Sequence, residues 1–268
     1  MTPMLSRVLR RRDDGALTAA ADLCAALGRP GPWLAIAPHD DDIVLGMGMA
    51  VAAAVAEGVE IHLAVASDGG LGYLRPEDRP KLIEVRRLEM MRCAVALGVP
   101  ESRVHFLGLP DGSLMANQGA VVRPDGSVTG VGRALTAIMR KVRPTVVFGP
   151  TPTDLHPDHR AVASELDMAC FWASGGIWLE LGEPIALPVR YDYAVYCPFS
   201  ADPHLQLTGT AACFQRKLAG MAAFASQPTI DDMVARIREA GPVEYLREVT
   251  WTPYHPAIYA PLFAGAAT

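Results

Sequence analysis

Trp33-Leu34-Ala35-Ile36-Ala37-Pro38-His39-Asp40-Asp41-Asp42 is a short apolar run that ends on a proline and a block of ionisable side chains. Five consecutive apolar residues suit a strand covered on both faces, which reads as a continuous hydrophobic run instead of an alternation. The polar-free stretch Ile43–Ala56 follows at once. It is too short for a bilayer span, which takes about 20 residues, and reads as a buried helix. Strand, charged loop and buried helix in that order open an α/β sheet, whose ligands bind beyond the carboxyl ends of its strands.

The same order returns more than a hundred residues later. Thr145–Gly149 is apolar, Asp154-Leu155-His156-Pro157-Asp158-His159 follows, and a helix is expected over Asp158–Cys170. Between the two passages lie strands expected at Glu60–Ala66 and Arg103–Leu107 and helices at Arg79–Leu97 and Val131–Arg143. In the first of these helices Leu82, Val85, Leu88, Met91 and Val95 recur at helical spacing, and Gly98 stops it. Ser113–Gly130 reads as a loop. A fifth strand is expected over Tyr191–Cys197, then helices near Gln215–Phe224 and Ile230–Ala240 and a Pro-rich tail.

This alternation predicts an α/β fold: a Rossmann-like, doubly wound, mainly parallel sheet with helices on both faces. Residues 1–268 would form a single domain, with residues from about 171 to 268 a C-terminal elaboration. In the strand order 3-2-1-4-5, strands 1 and 4 are neighbours where the winding reverses, so the two charged clusters would meet.

Composition narrows the function. Half of the 268 residues are hydrophobic, enough for one substantial core, and a net charge of −5 without a basic stripe argues against nucleic acid as a partner. Five dispersed cysteines with no CxxC pair fit reduced thiols and a cytoplasmic location. The basic start, with Arg7, Arg10, Arg11 and Arg12, lacks the apolar core of a signal peptide, and no membrane span is expected. The sequence carries no signal of oligomeric state.

His39 and Asp42 are three residues apart, as are His156 and His159. A zinc ion held by His39, Asp42 and His159 would have two imidazoles, one carboxylate and an open position for water. Asp41 would be free to take a proton from that water, His156 to stabilise an oxyanion, and Asp158 to orient an imidazole. An acidic run alone is more often a helix cap; the second, histidine-bearing cluster is what changes its meaning. His62 and His105 sit in apolar strands and read as structural, while His204 and His255 have no partner at ligand spacing. No G-x-G-x-x-G follows the first strand, since Gly46 and Gly48 fall inside the helix pattern, and P-loop, G-x-S-x-G and H-E-x-x-H motifs are absent.

At these residues the chain resembles the PIG-L/LmbE-type zinc-dependent N-acetylglucosaminide deacetylases. Pro38-His39-Asp40-Asp41-Asp42-Ile43 stands for that family's Ala-His-Pro-Asp-Asp-Glu element, with the Pro and final Glu replaced and His, Asp and Asp kept in place, and His156-Pro157-Asp158-His159 matches its His-Pro-Asp-His in full. Ser67-Asp68-Gly69, Arg86-Arg87-Leu88-Glu89 and Leu109-Pro110-Asp111-Gly112 are further echoes. Lys217 and Ser226-Gln227 resemble a Lys…His-x-Ser-Gln element in which Phe224 replaces the histidine. The resemblance covers about Trp33 to Arg160.

It implies His39, Asp42 and His159 as zinc ligands, although Fe²⁺, Co²⁺ or Mn²⁺ suits the same donors. It implies Asp41 as general base and then acid, His156 as electrophilic partner supported by Asp158, and Arg86 and Asp111 as holders of sugar hydroxyls. The implied reaction removes an N-acetyl or N-acyl group from a small GlcNAc-type amino sugar. The Ala- and Arg-rich composition leans towards a glycosylated secondary metabolite such as a glycopeptide antibiotic. Two alternatives stand beside it: a metal-dependent amidase on a non-sugar or thiol-conjugate amide, and a Rossmann-like nucleotide- and Mg²⁺-binding module without catalysis. The bulky segment from Phe171-Trp172 to Ile177-Trp178 either covers an apolar substrate or is core.

Overall fold

The computed structural model describes residues 3–73, 75–251 and 254–264. The chain opens with β1 (Leu5–Arg11), β2 (Leu17–Ala20) and α1 (Leu23–Leu27), then β3 (Trp33–Ala37), α2 (Asp42–Ala56) and β4 (Ile61–Ser67). Next come α3 (Arg79–Leu97), β5 (Val104–Leu109), a small hairpin of β6 (Val121–Val122) and β7 (Val128–Thr129), and α4 (Val131–Val142). The second half holds β8 (Val146–Pro150), α5 (Pro157–Ser174), β9 (Val189–Tyr193), β10 (Leu205–Gly209), α6 (Ala211–Met221), α7 (Ile230–Ala240) and β11 (Val243–Val249).

Nine strands form one sheet in the order β2-β1-β10-β11-β9-β8-β3-β4-β5. From β9 to β5 every pairing is parallel. Numbered by chain order, these five strands lie 3-2-1-4-5, as the alternation predicts. β3 delivers Trp33, Ala35 and Ala37 to one apolar core and Leu34 and Ile36 to the other, the period of two that an extended chain imposes. Helices α4 and α5 cover the second face. On the first, α2 lies against the sheet under α3 and α6, which buries every residue from Asp42 to Ala54. A helix apolar all round is stable only in such a position.

The sequence expectations need correction in two places. Beyond β9 the sheet continues through β11, β10, β1 and β2, all antiparallel and none foreseen. β1 carries arginines at 7, 10 and 11 and buries only Val8, so it lacks the apolar run of a central strand. The second correction concerns α3. Val85, Leu88 and Val95 face solvent, whereas Leu82, Arg86, Glu89, Met90, Cys93, Ala94 and Leu97 are buried. The buried row is shifted because Arg86 and Glu89 have inward partners: Arg86 donates to Gln227, and Glu89 accepts from the amide and hydroxyl of Ser226.

The strand expected over Tyr191–Cys197 ends at Tyr193, freeing residues 194–198 as a loop. The expected loop at 113–130 contains the β6–β7 hairpin.

Candidate active site

β3 and β8 are hydrogen-bonded neighbours, so the loops that leave their carboxyl ends converge. After β3, Pro38–Asp40 turn the chain into α2, with Asp41 as N-cap and Asp42 as first helical residue. The Asp41 side chain makes no capping hydrogen bond, so its carboxylate is spared for another use. Asp42 instead secures the turn: its Oδ2 accepts from the His39 amide at 2.8 Å. After β8, Asp154 Oδ1 accepts from the His156 amide at 3.0 Å, and His156 caps α5 through Nδ1, which accepts from Asp158 N at 3.2 Å. Pro157 occupies the first helical turn, where its missing N–H is harmless.

The two loops bring five groups together. Asp42 lies between the imidazoles, 3.3 Å from His39 Nδ1 and 3.2 Å from His159 Nε2. His39 Nε2 faces Asp111 Oδ1 at 3.2 Å and Asp158 Oδ2 at 3.5 Å. His156 packs edge-on to His39, with ring centroids 4.7 Å apart. Asp158 also accepts from Gly112 N and Leu114 N, so its carboxylate ties the loop after β5 to His39 instead of supporting the His156 ring.

Burial and charge set the protonation states. Burial, with Asp42 and Asp40 beside it, pushes Asp41 up to about 8. Burial also raises Asp40, to about 6, against the pull of Arg86. Asp42 goes the other way: the His159 and His39 imidazoles outweigh its burial and hold it well below the usual carboxylate range. His159 rises to about 9, since Asp42 and Asp154 overcome its burial, and His39 rises in the field of Asp111, Asp158 and Asp42. His156 is lowered by burial and by the two neighbouring imidazoles. Without a metal, protons on His39 and His159 balance the surrounding acids, and a dication would take their place.

A metal fits these residues. One ligand atom each from His39, His156 and His159 lies within 4.8 Å of the others, and the same holds for His39, Asp111 and Asp158. Asp42 Oδ1 and both ring nitrogens of His159 are buried without a hydrogen bond. Buried polar atoms rarely lack partners, and a bound ion is a standard partner for such a group. Imidazole and carboxylate donors suit zinc and its first-row neighbours.

A cavity of about 200 Å³ opens over the cluster, lined by His39, Asp41, Arg86, Asp111, His156 and Tyr196, among others. The residues expected to hold a substrate therefore share a cavity with the expected base. Arg86 is buried, donates to Gln227 Oε1 at 2.8 Å and Gly72 O at 3.2 Å, and leaves Nε unpartnered. Asp111 is fixed by the Leu71 amide at 2.9 Å.

Three site residues had no role in the sequence reading. Asp154, 2 % exposed, lies 3.2 Å from His159 Nδ1 and accepts from the Tyr196 amide. Its place two residues before His156 is the spacing of an Asx turn, which was a usable signal. Tyr196 stacks beside His156 from the loop after β9, and Gln227 arrives from the loop after α6. No local spacing points to Tyr196, whereas Gln227 belongs to the Ser226-Gln227 element.

Other expectations resolve as packing. Phe224 is wholly buried in the core, and His255 caps an exposed turn at Pro256–Phe263. His204 accepts from Glu248 N, and His62 pairs with His105 at 3.0 Å. Trp172 and Trp178 pack on each other and do not line the cavity; Arg133 lies over the Trp178 ring, and Arg140 donates to a group of carbonyls in that segment. Gly46 and Gly48 face Tyr193 and Lys217 inside α2, so they cradle no phosphate.

Fold and site together define a doubly wound α/β protein with a buried His/Asp metal-type centre at its switch point. The chain belongs to the PIG-L (GlcNAc-PI de-N-acetylase) family, whose model matches residues 34–170. A diacetylchitobiose deacetylase of Thermococcus kodakarensis is 30 % identical over 131 residues, which are 47 % of this chain and 44 % of that protein. The match thus spans less than half the length of that relative. Among solved structures, N,N'-diacetylchitobiose deacetylase from Pyrococcus horikoshii superposes with a TM-score of 0.66 at 22 % identity, covering 90 % of this chain and 89 % of that one. The zinc-inhibited form of teicoplanin deacetylase Orf2 superposes with a TM-score of 0.58 at 17 % identity, over 84 % of this chain and all of the other.

Proposed function

We propose that this protein is a zinc-dependent hydrolase that removes the N-acetyl group from a GlcNAc-type amino sugar, releasing acetate and a free amine. The observation that carries the reading is that a cavity lined by His39, His156, the spare carboxyl of Asp41 and two groups suited to sugar hydroxyls opens over a cluster of metal-type donors. His39, Asp42 and His159 would hold the zinc. When bound, it supplies Lewis-acid polarisation of the amide carbonyl and lowers the pKa of water.

The chain's own groups do the rest. Asp41, with no capping bond to keep it, takes the proton of the attacking water and returns it to the leaving nitrogen. Burial and the neighbouring Asp42 and Asp40 favour its protonated form, which suits the return of that proton to the leaving nitrogen. His156, whose ring lines the cavity beside His39, donates to the oxyanion that forms on the substrate. Asp154 fixes the orientation of the His159 ring, and Asp158 fixes His39 against the loop at Gly112. Arg86 and Asp111 present several directional donors and acceptors to ring hydroxyls.

A cavity of this size takes a sugar and leaves a larger aglycone outside, which is compatible with an amino sugar on a glycosylated secondary metabolite. No helix among the described residues is long and apolar enough to cross a membrane, and the free cysteines support a cytoplasmic site of action.

The test is acetate release from a panel of GlcNAc conjugates, before and after chelation and with zinc restored. Chelator-sensitive release that returns with zinc is expected. A metal-loaded protein that releases acetate from none of them would remove the deacetylase reading. Equal or better turnover of a small GlcNAc-inositol than of a glycosylated aglycone would remove the secondary-metabolite part alone.

A further inference from the structure

Helix α2 breaks in the middle of its buried length. Met47 has φ −147° and ψ 27°, outside the helical region. In an unbroken helix the Met49 amide would donate to Leu45 O and the Ala50 amide to Gly46 O. Here Glu244 of β11 accepts from both amides, through Oε1 and Oε2, at 2.9 Å each. Lys217 of α6 donates from Nζ to Leu45 O at 2.8 Å and to Glu244 Oε1 at 2.7 Å. An ion pair thus stands where one helical hydrogen bond is missing, running Leu45 O, Lys217, Glu244, Met49 N.

Both side chains are 2 % exposed. Two glycines make the room. A Cβ on Gly48 would sit 3.1 Å from Lys217 Cγ, and one on Gly46 would sit 2.3 Å from the Tyr193 ring. A buried ion pair is a poor stabiliser, because desolvation offsets its attraction. A regular helix would satisfy the same backbone groups without any charge. What the pair permits is a change of direction. The part of α2 ahead of the break, Asp42–Gly46, carries Asp42 and is capped by Asp41. The chain leaving α6 then supplies Ser226 and Gln227 to Glu89 and Arg86, so one element braces both helices behind the cavity.

We propose that Lys217 and Glu244 are positioning residues: their pair replaces a bond of α2 so that its first turn aims Asp41 and Asp42 into the site. The inference rests on the deacetylase reading for the roles of those two aspartates, and on the break alone for the geometry.

The test is the charge-free exchange Lys217→Met with Glu244→Gln, beside Glu244→Gln alone. Each is compared with the parent protein for melting temperature, for kcat and KM of acetate release, and for the visible spectrum of the cobalt-loaded protein. Expected are folded variants whose kcat falls about tenfold or more at unchanged KM, as a small misplacement of reacting groups produces, with shifted cobalt bands. A lowered melting temperature with parental kcat and parental bands would make the pair a stabiliser only and overturn the proposal. Should the double variant not fold, Glu244→Gln, which keeps the size and one acceptor oxygen, decides by the same readouts. Should the parent release no acetate, the deacetylase reading fails by itself. The cobalt spectra then still decide this inference, altered bands for it and parental bands against it.

Discussion

Helix α2 carries one buried ionic cluster at its start and another at its break, and the two are completed in opposite ways. At the break, the Lys217 ammonium and both Glu244 oxygens have partners at 2.7–2.9 Å. At the start, Asp42 Oδ1 and both nitrogens of His159 are equally buried and meet only charge contacts of 3.2 Å, to each other and to Asp154, without a well-formed hydrogen bond. Leaving such atoms unsatisfied costs about 1–3 kcal/mol each, more for charged groups, and a bound cation is one partner that offsets that cost. The charges say the same. Six aspartates, at 40, 41, 42, 111, 154 and 158, surround the start of α2 against three histidines and Arg86. One cluster is closed and the other calls for a cation.

The largest effect should come from removing a donor at the open cluster. His159→Ala is expected to lose bound metal on dialysis, and all turnover with it, which elemental analysis of the purified variant reads directly. A full equivalent retained would place the ion among other donors, such as His39 with Asp111 and Asp158. Next is Asp41→Asn, which leaves the donors intact. It should keep its metal and lose about 10²–10⁴ in kcat, the range for a positioned acid–base group. Near-parental turnover would take the proton-transfer role away from Asp41.

The two clusters also differ in how far they can be read from the sequence. His39 and Asp42 follow one apolar run at once and His156 and His159 follow another within ten residues, and the doubly wound order brings those runs side by side. β3 and β8, which carry both clusters, are visible for the related reason that a strand covered on both faces has no polar positions to blur it. The closed cluster gives less: Lys217 stands in the Lys…Ser-Gln element, but nothing local marks Glu244. Lys217 and Glu244 come from α6 and an antiparallel strand, and α2 contains no proline to announce a break. Only Gly46 and Gly48 in an otherwise helix-forming stretch hint at it. β10 alternates buried and half-exposed residues over Leu205–Gly209, a period-two signal hidden by its shortness. On α3, hydrophobicity misled: the inward row is defined by Arg86 and Glu89, whose partners lie some 140 residues further on.

A smaller effect sharpens the contrast within the open cluster. Asp154 touches no substrate position, yet lies against the far nitrogen of His159. Asp154→Asn should weaken metal binding by about 10–100-fold, the usual range for a partner behind a ligand, in a competition titration with a chromophoric chelator. Unchanged affinity would limit Asp154 to holding the His156 and Tyr196 amides.

The smallest effect belongs to a polar group that solvent completes. His62 and His105 stack on neighbouring strands with Glu60 at the edge, and both rings are half-buried. Burial, together with Lys141 and His62, lowers His105 to about 4. Between its ordinary value of about 6.5 and 4, the unfolded chain therefore binds a proton that the folded chain refuses. Stability from this group is present above about 6.5 and lost as the pH falls towards 4. His105→Gln should flatten the fall in melting temperature between pH 7 and pH 5, only slightly, because water screens a half-exposed ring. A variant with the parental slope would show that His105 takes its proton as readily folded as unfolded. The surface pair would then do nothing that the two buried clusters do.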